Sequence, residues 1–261
     1  MKRFKEYLGN KLPWPLLYFW RKLKGLKSDL PTIFNFLFHK AKTKTSFLKR
    51  LWLIFKCYQI SYFVDCPHQE YEMIKAIQSI LNFDPKVEGV IVEAGSYKGG
   101  SSAKISLAVS LTKRKFYIFD SFEGIPFHQE RHTRNIFGGN AYFPPGSYAG
   151  SLDEVKKNVG RFGAIEICEF VKGWFEETMP KFNAKIAIIY ADVDLASSTK
   201  TYLTYLYPKL VKNGILFSDD GHLPWVIDIF KDDVFWLNNL HTAKPFIKNL
   251  GKEKLIGIIK K

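Results

Sequence analysis

Four aspartates follow two apolar stretches of the chain, at the point where each stretch ends. Asp192 and Asp194 follow the first stretch, and Asp219 and Asp220 follow the second. Continuous apolar stretches of this kind are typical of strands buried on both faces of a parallel sheet, and ligands of such sheets bind outside the carboxyl ends of the strands. Carboxylates crowded there repel one another unless positive charge lies between them. Because oxygen ligands favour hard cations, the sequence predicts a site for Mg²⁺ or a similar divalent ion in a catalytic crevice.

The spacing within each pair of aspartates indicates what each one can do. Asp192 and Asp194 are two positions apart, so on extended backbone their side chains point the same way. One can hold a metal ion while the other removes a proton from a hydroxyl group. Asp219 and Asp220 are adjacent, and both can bind one ion only if the strand has ended before them, which Gly221 permits.

A glycine-rich turn follows the first predicted strand. Gly95 permits a tight turn, and Gly99 and Gly100 let a ligand approach the backbone. The G-x-x-x-G-G spacing differs from the dinucleotide pattern G-x-G-x-x-G, which disfavours a nicotinamide dehydrogenase. Asp120 ends the second predicted strand, where an acid typically binds the ribose hydroxyls of an adenosine. Glu93 is the better candidate for the cationic, amino-acid end of a ligand, although either acid alone can also serve as a cap or loop contact.

An alternation of strands and helices from about residue 65 would position these groups. Strands are predicted at residues 89–92, 116–119, 165–171, 185–190 and 214–217. Helices are predicted at residues 67–81, 101–112, 151–159, 200–210 and 224–238. This pattern favours a doubly wound α/β sheet, and the apolar stretches 244–248 and 255–259 predict an antiparallel hairpin at its end. We predict that residues 124–150 form a long loop that covers the site as a lid.

The size and cysteine content limit the class of protein. A chain of 261 residues with 46% hydrophobic residues can bury a full core as one large domain, or as one domain with an appendage. The cysteines are Cys57, Cys66 and Cys168, with neither a CxxC motif nor zinc-type spacing. We therefore expect a reducing compartment, the cytoplasm, and no disulfide framework.

The positive charge is concentrated at the N-terminus. Residues 1–60 contain 14 Lys and Arg against two acids, so they carry +12 of the formal net charge of +14. We divide the chain into a basic, aromatic-rich helical extension at residues 1–64 and a catalytic domain at residues 65–261. No apolar run reaches the roughly 18–20 residues of a membrane span, and no cleavage site of a signal peptide follows an apolar run.

Residues 46–60 have helical spacing, with Leu48, Leu51, Phe55 and Tyr58 on one face. A basic, aromatic and amphipathic helix is typical of peripheral contact with an anionic membrane, here its inner face. The alternative is packing on the catalytic domain or on a second subunit of a homo-oligomer. A nucleic-acid partner is not expected, because no nucleic-acid-binding module is recognisable.

Seven sequence blocks between residues 89 and 222 occur in a characteristic order. They are residues 92–101, 120–126, 148–159, 170–180, 192–199, 206–210 and 219–220. Together they resemble the macrocin O-methyltransferase (TylF-like) family, whose members are metal-dependent enzymes that use S-adenosylmethionine to methylate sugar hydroxyls. The Lys-Gly-Trp-Phe and Asp-x-Asp-Leu blocks are the most specific of the seven. The chain departs from the family pattern at Ala196, where Tyr is usual, and at Ser197, where an acid is usual.

The resemblance implies a class I methyltransferase fold with a Rossmann-like sheet, mostly parallel, and assigns roles to individual residues. The implied ligands of a divalent metal, usually Mg²⁺, are Asp192, Asp219 and Asp220, and the implied general base is Asp194. The residues implied around S-adenosylmethionine are Glu93, Gly95, Ser96, Ser101, Asp120, Ser121, Gly173 and Trp174. His222 is within reach of the metal site along the sequence, as a site residue or as a loop histidine.

The leading hypothesis is a Mg²⁺-dependent O-methyltransferase acting on a sugar hydroxyl of a glycan or glycosylated metabolite. A catechol-like diol is an alternative acceptor, because it could chelate the same metal. A rival from another class is a non-catalytic, methyltransferase-like protein that tethers partners to a membrane.

Overall fold

One mixed sheet organises the domain in this computed structural model, which describes residues 28–130 and 134–261. Its strands are β1 (Val90–Ala94), β2 (Phe116–Asp120), β3 (Cys168–Lys172), β4 (Ile186–Ala191), β5 (Leu210–Ser218) and β6 (Ile256–Ile259). The strand order is β3-β2-β1-β4-β5-β6. All neighbours pair in parallel except β5 and β6, which are antiparallel. The chain order reverses between β1 and β4, and ligands of doubly wound sheets bind at this switch point.

Helices cover both faces of the sheet. They are α1 (residues 28–38), α2 (Phe47–Phe63), α3 (Glu70–Asn82), α4 (Gly100–Val109), α5 (Leu152–Phe162), α6 (Phe175–Thr178), α7 (Ala196–Tyr205), α8 (Pro224–Lys231) and α9 (Asp233–Leu240). One apolar core contains side chains of α2 to α5, and the other contains side chains of α7 to α9. Successive side chains of a strand point to opposite faces of the sheet, so the strands contribute to both cores. Ile91 lies in the first core and Val92 in the second. The predicted α/β class, with a mostly parallel sheet, is confirmed.

The C-terminal hairpin was predicted incorrectly in one respect. Residues 255–259 do supply the antiparallel strand β6, but β6 pairs with β5. Residues 244–248 do not form a strand and contribute a single bridge, Lys248 to Gly257. Pro245 lacks a backbone donor and interrupts this segment, whereas β5 offers a continuous edge.

The helix predicted at residues 46–60 is confirmed as α2, and it packs against α3 and α4. Ser46 caps its N-terminus by accepting a hydrogen bond from the Lys49 backbone N–H. The face that packs into the core includes Leu53, Cys57 and Ile60. Most of the predicted apolar stripe lies on the other side, where Leu48 is 73% exposed and Phe55 is 62% exposed, whereas Tyr58 packs against the core. Among the described residues, no helix has the length and apolarity needed to cross a bilayer.

Candidate active site

The carboxyl ends of β1, β2, β4 and β5 open onto one cleft. Its lining includes Gly95, Ser96, Ser101, Asp120, Ser121, Trp174, Asp192, Asp194 and Asp220. The glycine-rich turn and the aspartates therefore face the same space, as their positions after the strands predict. Two of the residues implied at the cofactor, Glu93 and Gly173, and one implied metal ligand, Asp219, do not line this cleft.

The Asp194 backbone is held in place by hydrogen bonds on both sides. One Asp220 carboxylate oxygen accepts the backbone N–H groups of Val193 and Asp194, at 3.0 and 3.1 Å. The Asp194 carbonyl accepts the indole N–H of Trp225 at 2.7 Å. Asp194 has a φ of +60°, a left-handed conformation that is uncommon for residues other than glycine and often marks a functional site.

Asp192 belongs to two groups of potential metal ligands. One contains Asp192, Asp194 and Asp220, and the other contains His68, Asp192 and Asp219; within each group all ligand atoms lie within 4.8 Å of one another. Asp219 and Asp220, which the resemblance assigns to one ion, thus fall into different groups that share Asp192.

The carboxylates of this cluster strongly perturb one another. Burial and the neighbouring charges of Asp192 and Asp220 raise the pKa of Asp194 well above its usual value. Burial and Asp192 do the same for the pKa of Asp220. Burial also acts to raise the pKa of Asp192, but the imidazole of His68 outweighs it and lowers that pKa to about 2. The cluster has the like-charge repulsion that a cation would relieve.

The turn after β1 requires glycine at its first position. Gly95 has a φ of +88°, and a Cβ atom there would lie 1.9 Å from the carbonyl oxygen of Asp192. Asp120 ties this turn to the end of β2, because its carboxylate accepts the Ser96 backbone N–H at 2.6 Å and the Phe122 backbone N–H at 2.7 Å. Ser101 lies in the first turn of α4 and borders the cleft.

Glu93 and Gly173 are not part of the cleft lining. Glu93 is fully buried, and one of its carboxylate oxygens accepts the Ser102 hydroxyl while the other has no hydrogen-bond partner. Burial raises the pKa of Glu93 to about 8. Gly173 donates its backbone N–H to the Asp120 carbonyl at 3.1 Å and precedes Trp174, which does line the cleft. The roles of Glu93 and Gly173 towards a cofactor stay predictions.

Two basic side chains at the aspartate cluster were not predicted from the sequence. His68 Nε2 lies 2.8 Å from Asp192 Oδ2 and 3.6 Å from Asp219 Oδ2, and Lys254 forms an ion pair with Asp219. Both residues are far from the aspartates along the chain, so no spacing pattern could find them. The only signal was indirect, since four crowded carboxylates need compensating charge.

The predicted lid contacts the site at several points. Glu130 accepts the backbone N–H groups of Ala196 and Ser197, each at 2.9 Å, and so caps the N-terminus of α7. Phe137 stacks on His222 with ring centroids 6.0 Å apart, and His222 lines the cleft. The loop adds Asn135, Asn140, Ala141, Phe143 and Tyr148 to the lining.

Comparison with known proteins gives a consistent result. A family model described as Macrocin-O-methyltransferase (TylF) matches residues 68–236. A Streptomyces olivaceus protein, 8-demethyl-8-(2,3-dimethoxy-alpha-L-rhamnosyl)-tetracenomycin-C 4'-O-methyltransferase, is 32% identical over 158 residues, which cover 57% of each chain. Demethyldecarbamoylnovobiocin O-methyltransferase of Streptomyces niveus is 32% identical over 149 residues, covering 51% of this chain and 53% of the relative. The chain thus spans little more than half the length of the curated relatives that it matches.

Solved structures share the fold. The O-methyltransferase NovP has a TM-score of 0.64 at 21% identity, covering 82% of this chain and 99% of NovP. The calicheamicin methyltransferase CalS11 has a TM-score of 0.56 at 18% identity, covering 89% and 91%. Since the family model matches well over half of the sequence, this chain belongs to the macrocin O-methyltransferase family.

Proposed function

We propose that this protein transfers a methyl group from S-adenosylmethionine to a hydroxyl of a sugar, on a glycan or a glycosylated metabolite. The observation that carries the proposal is that the turn after β1 lines one cleft together with Asp192 and Asp194 after β4 and Asp220 after β5. A methyl donor held by the turn would therefore face an acceptor held at the aspartates. Family membership supports the same activity, as do the names of the relatives: both are O-methyltransferases, and the name of one includes a rhamnosyl group.

The turn around Gly95 suits a nucleoside cofactor. Its backbone passes where a side chain would not fit, and the carboxylate of Asp120 lies beside it at the end of β2. Asp120 would bind the ribose of S-adenosylmethionine, and Ser96 and Ser101 would border its amino-acid end. The cofactor supplies an already activated sulfonium methyl group, so the protein's main contribution is to align donor and acceptor.

The donor set of the aspartate cluster suits a divalent cation. The Oδ1 atom of Asp219 is buried without a hydrogen-bond partner, while Oδ2 pairs with the Lys254 ammonium, and the surrounding carboxylates repel one another. Asp192, Asp219 and Asp220 would hold the ion, Mg²⁺ or another hard divalent cation. When bound, it would polarise a sugar hydroxyl as a Lewis acid and lower the pKa of that hydroxyl.

Asp194 is the best-placed general base. Its side chain lines the cleft, and its backbone is fixed by Asp220 and Trp225. Burial and the neighbouring aspartates raise its pKa, and a carboxylate with a raised pKa accepts a proton more readily once positive charge nearby keeps it ionised. Asp194 would take the proton of the acceptor hydroxyl.

The lining contributed by the lid suits a sugar acceptor. Asn135 and Asn140 offer amide groups for hydroxyls, while Phe143 and Tyr148 offer apolar ring faces. A catechol-like diol and a non-catalytic tethering role are less favoured, because both curated relatives are named as O-methyltransferases and the name of one describes a rhamnosylated metabolite.

Calorimetric titration of S-adenosylmethionine, with Mg²⁺ and with EDTA, tests the cofactor half of the proposal. We expect micromolar-range binding that is lost in Asp120→Ala and kept in Asp153→Asn, a control at an exposed position of α5. Methyl transfer to a panel of rhamnosylated acceptors, with a simple catechol for comparison, tests the other half. Absence of binding under every condition would refute the proposed activity.

We also propose that the exposed surface of α1 and α2 contacts an anionic membrane at its inner, cytoplasmic face. Phe34, Phe38 and Phe55 are exposed there, and Lys49 lies 3.9 Å from the Trp52 ring centroid. Exposed aromatic groups beside lysines are typical of interfacial helices. Vesicles containing phosphatidylserine should bind the protein at low salt and release it at high salt, with weaker binding of Phe55→Glu. Failure to bind, with a dimer seen by light scattering, would assign the surface to self-association instead.

A further inference from the structure

His68 lies on the segment that leads into α3 and is almost completely buried. Its Nε2 atom is 2.8 Å from Asp192 Oδ2 and 3.6 Å from Asp219 Oδ2. Nε2 is also a buried polar atom without a hydrogen-bond partner. The imidazole therefore faces the carboxylates at the distances that separate ligands of one ion.

The other side of the imidazole ring is fixed. Nδ1 lies 3.1 Å from the Cys66 sulfur. That sulfur is 3.7 Å from the buried Lys104 ammonium, which also contacts Ser61 and pairs with Glu70 at 3.1 Å. In the tautomer with its proton on Nδ1, the ring donates to Cys66 and directs the Nε2 lone pair at the carboxylates. Histidines that bind metals are usually oriented by a partner of the second ring nitrogen in this way.

We propose that His68 Nε2 is a ligand of the cation at Asp192 and Asp219, and that the site therefore prefers a transition ion such as Mn²⁺ or Fe²⁺ to Mg²⁺. This inference rests on the metal site of the proposed function. Imidazole nitrogen suits first-row transition ions, whereas Mg²⁺ prefers oxygen alone. The competing partner of Asp219 is Lys254, whose side chain is 24% exposed and can withdraw towards solvent.

The test is Mn²⁺ binding to the metal-free, full-length protein. Electron paramagnetic resonance of free Mn²⁺ gives the affinity, and spin-echo modulation of the bound ion detects a directly bound nitrogen. We expect ¹⁴N modulation that changes on labelling with ¹⁵N-histidine. His68→Gln should lose the modulation and bind Mn²⁺ roughly tenfold or more weakly, while Mg²⁺ binding changes much less. His222→Gln, which alters the other histidine of the cleft, should keep the modulation.

The possible outcomes separate the inference from the proposed function. Bound Mn²⁺ without nitrogen modulation in the unaltered protein would overturn the inference and leave an all-oxygen metal site in place. Modulation that disappears in His222→Gln and persists in His68→Gln would also overturn it. If neither Mn²⁺ nor Mg²⁺ binds, the metal site of the proposed function fails, and the inference fails with it. If His68→Gln does not fold, His222→Gln decides the question, because modulation kept in that variant leaves His68 as the other histidine in the cleft lining.

Discussion

Replacing Asp194 with asparagine should remove turnover and stabilise the protein at the same time. The backbone contacts of Asp194, with Asp220 and Trp225, do not involve the side chain that changes. The positive φ of +60° is also one that asparagine tolerates. The variant should therefore keep the local fold, and its effects should come from the loss of one carboxylate.

The two expected effects have opposite signs. Loss of a general base typically costs about 10²–10⁴ in rate, equivalent to roughly 3–5 kcal/mol of transition-state stabilisation at about 1.4 kcal/mol per tenfold. The folded-state pKa of Asp194 is raised by burial and by Asp192 and Asp220. Such a group favours folding at low pH, and its contribution is lost as the pH rises towards the raised pKa. The asparagine side chain has no charge to bury, so the substitution should add about 0.5–2 kcal/mol to the free energy of unfolding at neutral pH.

The assay combines single-turnover methyl transfer with urea denaturation at pH 5 and pH 8. The stability gain should be larger at pH 8. Affinity for S-adenosylmethionine should stay within about twofold of the unaltered protein, because the cofactor turn is separate from Asp194. Turnover within threefold of normal would refute the base assignment. Loss of turnover together with loss of stability would show that Asp194 is structural.

Three further predictions concern the supporting residues. Asp120→Asn should weaken binding of S-adenosylmethionine at least about tenfold by calorimetry, since Asp120 also holds the Ser96 N–H; unchanged affinity would exclude Asp120 as a cofactor ligand. Lys104→Met should lower the free energy of unfolding by about 3–5 kcal/mol in a denaturant titration, because it removes the buried ammonium that pairs with the Glu70 carboxylate; Lys104→Met with Glu70→Gln should recover most of that loss, and an equally unstable double variant would contradict this reasoning. Because burial raises the pKa of Glu93 to about 8, stability from this group should be present below about pH 4.5 and decline as the pH rises through about 8; Glu93→Gln should flatten that decline, and an unchanged pH profile of the unfolding free energy would count against it.

Local patterns were sufficient to predict most of the elements that build the sheet. The apolar stretches before Asp120, Asp192 and Asp219 are the strands β2, β4 and β5, because burial on both faces selects continuous apolar residues. The partner of the last strand was not predictable in this way. Residues 244–248 and 255–259 look alike by pattern, but pairing depends on which edge is free in space, and β5 supplied that edge.

The candidate site was only partly predictable for a related reason. Strand ends reveal Asp120, Asp192, Asp194 and Asp220, since parallel strands deliver their carboxyl ends to one edge. Glu93 is fully buried and outside the cleft lining, an outcome that depends on strand alternation and helix packing combined.

The sequence by itself determined the α/β class, the family and the carboxylates of the crevice, because each of these is encoded by neighbouring residues along the chain. Only the tertiary structure decided which charges meet those carboxylates. His68 contacts Asp192 and Lys254 contacts Asp219, although His68 and Lys254 lie near opposite ends of the domain's sequence. Asp192 also belongs to two groups of potential metal ligands. Electrostatic interaction depends on distance in space and on burial, and spacing along a sequence specifies neither.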